Sequence, residues 1–542
     1  MSNQTIEEDC KTISSISYKK TGYFSKTICD YLDKNEKITP FYNHFPDLAG
    51  FKKQLEEKKL SFRQSEATRN LLVDVLSNQY KNIETSKKTQ QNIQLLLKEN
   101  TFTVTTGHQL NLFTGPLYFL YKIISAINLA EKLKVAFKDK HFVPVYWMAT
   151  EDHDFEEINY FNFKQKKIVW NCQSNGAVGR LSTEGLEAVF ASFSKELNTS
   201  KNAAYLKTLF KNAYLEHHTL TEATRYLANE LFGEYGLVII DGDSPELKQQ
   251  FIPFMEGEML HQTAVKTVSN TIEKLEKNYK IQVNPREINL FYLADALRER
   301  IILEKGIYKT ADTGISWTKE EIQKELHSFP ERFSPNVIMR PLYQEVILPN
   351  LCYIGGGGEL AYWFELKEYF EAVKVPFPIL LLRNSGLIIS KKQAKKLEKL
   401  HISHEEIFLK QHDLISKKIK EISKLKIDFS NQRRFLKKQF AELEVLAKQT
   451  DKSFMGAVKA QQKKQLNGLD NLEKRLLKAE KRKHQEWVKR IVQLQEALFP
   501  NQSLQERTAN FSEFYEAYGN GLITKLVTEL HPLSGEFQII EM

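Results

Sequence analysis

The chain has 542 residues, 42% hydrophobic and 27% charged, with a net charge of +9. That is globular composition, long enough for a large core and more than one domain. No run approaches the ~20 apolar residues that span a bilayer, the opening MSNQTIEEDCK has no apolar stretch of signal-peptide type, and four scattered cysteines (Cys10, Cys29, Cys172, Cys352) exclude a zinc ribbon and fit reduced thiols in a cytoplasm.

Residues 102–106 (FTVTT) are β-branched and aromatic and predict a strand that ends at Gly107. Pro116 suits a helix first turn, and LYFLYKIISAINLAEKL after it has apolar residues at helical spacing. Residues 142–148 (FVPVYWM) predict a second buried strand and 236–240 (GLVII) a third, followed by a helix capped by Asp243 or Ser244 before Pro245. Residues 346–354 (VILPNLCYI) predict a strand running into Gly355–Gly358, with a helix from about Glu359; 377–383 (FPILLLR) predict another strand. Apolar strands alternating with helices indicate an α/β fold with a parallel sheet covered on both faces. The polar, helix-rich stretches at about 160–230 and 245–335 are insertions in a core spanning 1–390.

From Lys391 to Phe499 proline is absent. Ile415, Ile419 and Ile422, then Leu436, Phe440 and Leu443, then Trp487, Ile491 and Leu494, follow a four–three spacing that predicts a coiled-coil arm over 391–500. Breaks near 428–432 and 450–456 permit an antiparallel arrangement. Residues 501–542 are expected to return to the core. The arm holds 28 Lys and Arg against 14 Asp and Glu, the rest of the chain 49 against 54. Its lysines alternate with Glu and Gln and lack an aromatic stacking platform, so a solvated helical face is expected rather than a nucleic-acid surface.

Several constellations bear chemistry. In TTGHQ, Gly107 lets backbone approach a ligand, and His108 and Gln109 add side-chain hydrogen bonds at a strand end, where α/β sheets bind ligands. A tight turn is the alternative. In TEDHDFEE, Glu151, Asp152, His153 and Asp154 repel one another unless a cation or donor is present. A divalent metal, a substrate ammonium and a helix dipole are all open, the last being favoured for Glu156 and Glu157. Gly355, Gly356, Gly357 and Gly358 before Glu359 can form an anion nest, with neither Walker nor GxGxxG spacing. Asn336, Arg340 and Gln344 recur every four residues, and Arg340 is a candidate carboxylate or phosphate clamp. Arg383 and Asn384 follow a buried strand and fall at a sheet edge.

TGHQLNLFTGPLYFLYKIISAINLA, PVYWMATEDHDFEEIN, SPNVIMRPLYQEVILPN and YIGGGGELAYWFELK together resemble the cysteine-adding enzyme family of bacillithiol biosynthesis, with SKTICDYLDKNEKITPFYNHFP extending the resemblance towards the N-terminus. The resemblance implies a Rossmann-like core similar to class I nucleotidyltransferases and cysteinyl-tRNA synthetase, with connecting-peptide insertions and a coiled coil that supports a homodimer. It implies the last pathway step, addition of cysteine to glucosaminyl-malate. Gly107, His108 and Gln109 match the family's Gly-(His/Gln)-Gln turn, and Glu151 to Asp154 its Glu-Asp-His-Asp run. Gly355 to Glu359 match its Gly-Gly-Pro-Gly-Glu, with Gly357 where proline is usual. Joining cysteine to an amine needs an activated carboxyl, which ATP or another nucleotide supplies as an acyl-adenylate or acyl-phosphate. Competing readings are a nucleotidyltransferase acting on RNA and a nucleotide-binding scaffold without turnover.

Overall fold

The structure is a computed structural model that describes residues 14–61 and 64–542; Cys10 and the opening MSNQTIEEDCK lie outside the described residues. It divides into two compact units, one of residues 1–387 with 505–540, the other of residues 388–504.

The first unit is built on five strands: β1 (Thr101–His108), β2 (His141–Met148), β3 (Val238–Asp241), β4 (Asn350–Gly355) and β5 (Ile379–Leu382). Their order is β5-β4-β1-β2-β3, and every pairing is parallel. All eight residues of β1 are buried, as expected where helices cover both faces of a sheet. Its threonines are satisfied internally: Thr103 and Thr105 donate to Asn350 Oδ1 at 3.1 and 2.8 Å, and Thr106 to the Ile354 carbonyl at 2.8 Å. Helix α1 (Tyr118–Ala136) connects β1 to β2. It packs Ala126, Leu129, Ala130 and Leu133 with Val104, Phe142 and Ile354 of the sheet.

Parallel pairing aligns the strand ends. His108 is in register with Met148, Met148 with Asp241, and Gly355 with Leu382. The chain leaves β1 towards β2 on one side, while β4 pairs with its other side. A crevice at such a reversal, outside the carboxyl ends of the strands, is where open α/β sheets bind ligands.

Three local expectations change. Gly107 does not end β1: Gly107 and His108 remain paired, with Trp147 and Met148. Residues 346–347 are the end of a helix, α3 (Arg340–Ile347), and β4 starts only at Asn350, because Pro341 at the helix start favours helix and Val346 and Ile347 are buried helix surface. The stretch 245–335 is not helical throughout. After α2 (Pro245–His261) and a second helix (Thr263–Leu275) it forms a five-stranded sheet in which Leu290–Ala294, Leu297–Glu304 and Ile307–Thr310 make an antiparallel meander. Short loops such as Lys305–Gly306, both at positive φ, favour hairpins over helices there.

The second unit is helical. Ser430–Ala447 and Lys452–Lys483 form an antiparallel hairpin around Phe440, Ala447 and Val458, with Leu436 and Met455 packed alongside. Asp451 caps the second helix through the Phe454 N–H at 2.9 Å. Arg433 ties the two helices to Asp470 and Glu473 at 2.7 and 2.6 Å.

Candidate active site

The carboxyl ends of β1, β2 and β4 open into a cavity of about 850 Å3. Of the residues singled out in the sequence, Gly107, His108, Gln109, Glu151, Asp152, His153, Asp154, Asn336, Arg340, Gly356, Gly357, Gly358, Glu359 and Arg383 line it. Gly355 does not. It ends β4, where a Cβ would sit 2.8 Å from Leu360 Cδ1 and 3.0 Å from Glu359 Cβ, so the need for glycine is steric. Gln344 is fully buried away from the cavity.

Behind the glycines lies a tied polar network. Lys122, buried on α1, donates to the Gly107 carbonyl at 2.7 Å and pairs with Glu359 at 2.6 Å. Glu359 also accepts from the Gly356 N–H and the Tyr353 hydroxyl, both at 2.8 Å. Burial pushes the Glu359 carboxyl up, but Lys122 and these donors outweigh it and hold the group below the usual range. Arg340 donates to the Tyr362 hydroxyl at 2.5 Å and lies beside Gly107, whose missing Cβ would come 3.5 Å from Arg340 Nη1. Gly107 therefore leaves room for Arg340 and Tyr353 against the end of β1.

His108 is 6% exposed, and its Nε2 is buried without a hydrogen-bond partner among the described residues. Burial, then the nearby charge of Lys122, pushes the imidazole well below its ordinary range, while a hydrogen bond to the Thr114 backbone opposes this. The ring is neutral. With that bond engaging the other nitrogen, Nε2 is an acceptor. As an acceptor, His108 Nε2 can take a hydrogen bond from a hydroxyl or ammonium group.

On the opposite wall Gln109 donates to Asp152 and Glu157, both at 3.0 Å. Asp152 accepts from the His153 N–H at 2.8 Å. Burial pushes the Asp152 carboxyl up, but hydrogen bonds from His153 and Gln109 and the charge of Arg298 hold it well below the usual range. Asp154 moves the other way, raised by burial and by the charge of Asp152. Two neighbouring carboxylates are thus pushed apart, leaving Asp152 a fixed anion and Asp154 the better proton acceptor. Arg298 donates to His153 Nδ1 at 2.5 Å. Ligand atoms of Asp152, His153 and Asp154 lie within 4.8 Å of one another, a spacing a divalent cation can use, but Arg298 already occupies one imidazole nitrogen and balances Asp152. Glu151 is taken up in an ion pair with the fully buried Lys248. Asn336 is spent structurally, donating to Asn289 Oδ1 at 2.9 Å and accepting from the Ile338 N–H at 2.9 Å.

Sequence reasoning passed over Tyr118, Lys122, Arg286, Arg298, Arg300 and Arg507, all of which line the cavity. Lys122 did carry a signal, a lone lysine in the apolar run LYFLYKIISA. Arg298 and Arg300 alternate on one face of a strand. Arg507, about four hundred residues from β1, carried none. The lining holds seven basic side chains (Lys122 and six arginines) against four acidic ones, which favours substrates bearing several negative charges.

Comparison with known proteins agrees with this layout. The profile described as bacillithiol biosynthesis BshC, N-terminal Rossmann-like domain, matches residues 12–384, and that of the BshC C-terminal coiled-coil domain matches residues 386–542. A protein of Flavobacterium psychrophilum is 60% identical over 97% of this chain and 99% of its own length, and one of Christiangramia forsetii is 57% identical over 97% and 98%. One of Bacillus cytotoxicus is 28% identical over 95% and 97%. Each bears the name "Putative cysteine ligase BshC". With both profiles matched in order along almost its whole length, the chain belongs to the bacillithiol biosynthesis BshC family.

Proposed function

We propose that this chain is a cytoplasmic cysteine ligase that completes bacillithiol by joining cysteine to the amine of glucosaminyl-malate, with a nucleotide such as ATP activating the cysteine carboxyl. The observation that carries this reading is the cavity at the β1–β4 crevice. It combines an arginine-rich lining for phosphate and malyl carboxylate groups with the carboxylate of Asp152, held below its usual range, for an ammonium. The cysteine carboxylate attacks a phosphorus of the nucleotide and expels pyrophosphate or the nucleoside diphosphate. The glucosamine nitrogen then attacks the acyl carbon, the C–N bond forms, the acyl C–O bond to phosphorus-bound oxygen breaks, and the nitrogen loses a proton. In this reading Gly358 offers its backbone N–H to phosphate, His108 accepts a substrate hydrogen bond, and Asp154 takes the amine proton. Profiling low-molecular-weight thiols in cells lacking this chain tests the assignment: loss of bacillithiol with accumulation of glucosaminyl-malate is expected, and unchanged bacillithiol removes it.

The same reading includes a homodimer through residues 391–500. Phe435, Val445, Leu446, Phe454 and Leu472 of the hairpin unit are exposed, an apolar set that a second copy would cover. Removal of residues 395–495 is expected to turn a dimer into a monomer by light scattering; a full chain that is monomeric, or a shortened chain that remains a dimer, ends the dimer proposal.

A further inference from the structure

The C-terminal part of the first unit returns to the cavity wall through an anchored turn. Glu506, fully buried, accepts from Arg383 Nη2 at 2.8 Å, from Ser385 Oγ at 3.1 Å and from the Gly386 N–H at 3.1 Å. Three residues later the Ala509 carbonyl accepts from the Leu117 N–H at 2.8 Å. Asn510 donates to the Phe113 and Gly115 carbonyls at 2.8 and 2.6 Å. The turn Gln505–Thr508 is thereby pinned beside the loop that joins β1 to α1.

Between those anchors stands Arg507, exposed and lining the cavity. Its guanidinium has no carboxylate partner among the described residues, unlike that of its neighbour Arg383. It acts electrostatically on Tyr118, whose ring also carries Arg383 at 5.0 Å and His108 at 5.5 Å. The second observation is Arg383 itself. It is 3% exposed, and both its terminal nitrogens are engaged, with Asn384, Ser385 and Glu506. Its Nε is buried with no hydrogen-bond partner among the described residues. That nitrogen lies 3.7 Å from where a Cβ on Gly356 would be, so it faces the glycine turn. A buried guanidinium N–H is costly to leave unpaired, and an anion in the cavity would satisfy it.

We propose that Arg507 is a substrate-binding residue, forming with the Arg383 Nε–H an anion site that takes a phosphate or carboxylate group at the glycine-turn end of the cavity. The arrangement divides the labour. Glu506 neutralises and fixes Arg383, so that residue contributes a directed donor, while Arg507 contributes the uncompensated charge and a planar fork. The inference rests on the ligase reading for the identity of the anions but not for the existence of the site.

Calorimetric titration of the full chain with ATP, sodium tripolyphosphate and L-malate tests it, in the wild type and in Arg507→Ala, Arg507→Lys and Arg475→Ala. Arg475, exposed on the hairpin, controls for net charge. Arg507→Ala is expected to weaken at least one probe roughly ten- to a hundredfold, the loss of a charge-assisted hydrogen bond. Arg507→Lys should restore part of the affinity, and Arg475→Ala should change none. A loss confined to ATP and tripolyphosphate identifies a phosphate site, and one confined to malate a carboxylate site. Unchanged affinities in Arg507→Ala, equal losses in Arg475→Ala, or a wild type that binds none of the three probes would each overturn the inference. Bacillithiol profiling separates this outcome from the function: its loss without the chain, beside an indifferent Arg507, keeps the ligase reading and discards the anion site.

Discussion

Two buried ion pairs of the first unit and a more exposed one of the hairpin show what the surroundings do to a charge. In the first unit, Lys58 pairs with Glu345 at 3.2 Å, side chains 2% and 0% exposed, and Arg383 with Glu506 at 2.8 Å, 3% and 0% exposed. In the hairpin, Arg433 and Asp470 are 28% and 47% exposed although only 2.7 Å apart. Desolvation separates the cases. A buried partner left alone cannot recover its hydration, whereas an exposed one returns to water. Arg383→Met should therefore cost about 3–5 kcal/mol by stranding Glu506, while Arg433→Met should cost at most about 1 kcal/mol. Denaturant melts followed by probes in each unit check this, and equal losses would erase the distinction.

Glu365 sharpens the contrast, because it is a fully buried acid with no ion-pair partner among the described residues. It accepts from the Gln282 N–H at 2.7 Å, its Oε2 has no partner, and burial raises it from 4.5 to about 7. The folded state then holds a proton between pH 4.5 and 7 that the unfolded chain releases. Stability from this group is present below pH 4.5 and is lost as pH rises to about 7, by on the order of 3 kcal/mol. Glu365→Gln should remove that fall, so its stability relative to wild type improves with pH across this window. Parallel pH profiles for the two proteins would contradict the buried-acid account.

Within the cavity the effects shift from stability to turnover. His108→Ala and Asp152→Asn are each expected to lower bacillithiol formation roughly ten- to a hundredfold, about 1.5–3 kcal/mol per lost polar contact to substrate, with the fold retained. If Asp154 receives the amine proton, Asp154→Asn should lower the rate most where the wild-type carboxyl is ionised, and the deficit should shrink as pH falls into its raised range and the wild-type group is itself protonated. Wild-type thiol levels in His108→Ala at natural abundance would remove that residue from the site.

The parallel core was legible because a sheet covered on both faces must read as apolar runs, and FVPVYWM and FPILLLR do so. The glycine and histidine positions were legible because strand ends of parallel sheets share one edge. The meander at 290–317 was not, since strands such as LRERIILE, open to solvent on one side, carry charge that mimics helical surface. Gly107 was misread as a break because a glycine in a strand also marks close approach, here of Arg340 and Tyr353. The arginine wall was hidden for another reason. Arg298 and Arg507 reach one cavity through tertiary contacts that no local spacing records.

The mildest test concerns Gly357, where the resembling family carries proline. Gly357 is the first residue of the helix Gly357–Trp363, a position at which proline's fixed φ and missing N–H cost nothing to the helix. Gly356 before it is extended, at φ −73° and ψ 170°, the conformation a following proline demands. A Cβ at 357 would lie 3.2 Å from Ile28 Cγ1, so that side chain must shift by a few tenths of an ångström. Proline at a compatible site stabilises chiefly by restricting the unfolded chain, about 0.4–1 kcal/mol. Gly357→Pro should therefore raise the thermal midpoint slightly and leave bacillithiol formation unchanged. A more stable protein that makes no bacillithiol would mean that the Gly357 N–H also holds the phosphate, beside that of Gly358; a less stable one would mean that Ile28 cannot yield.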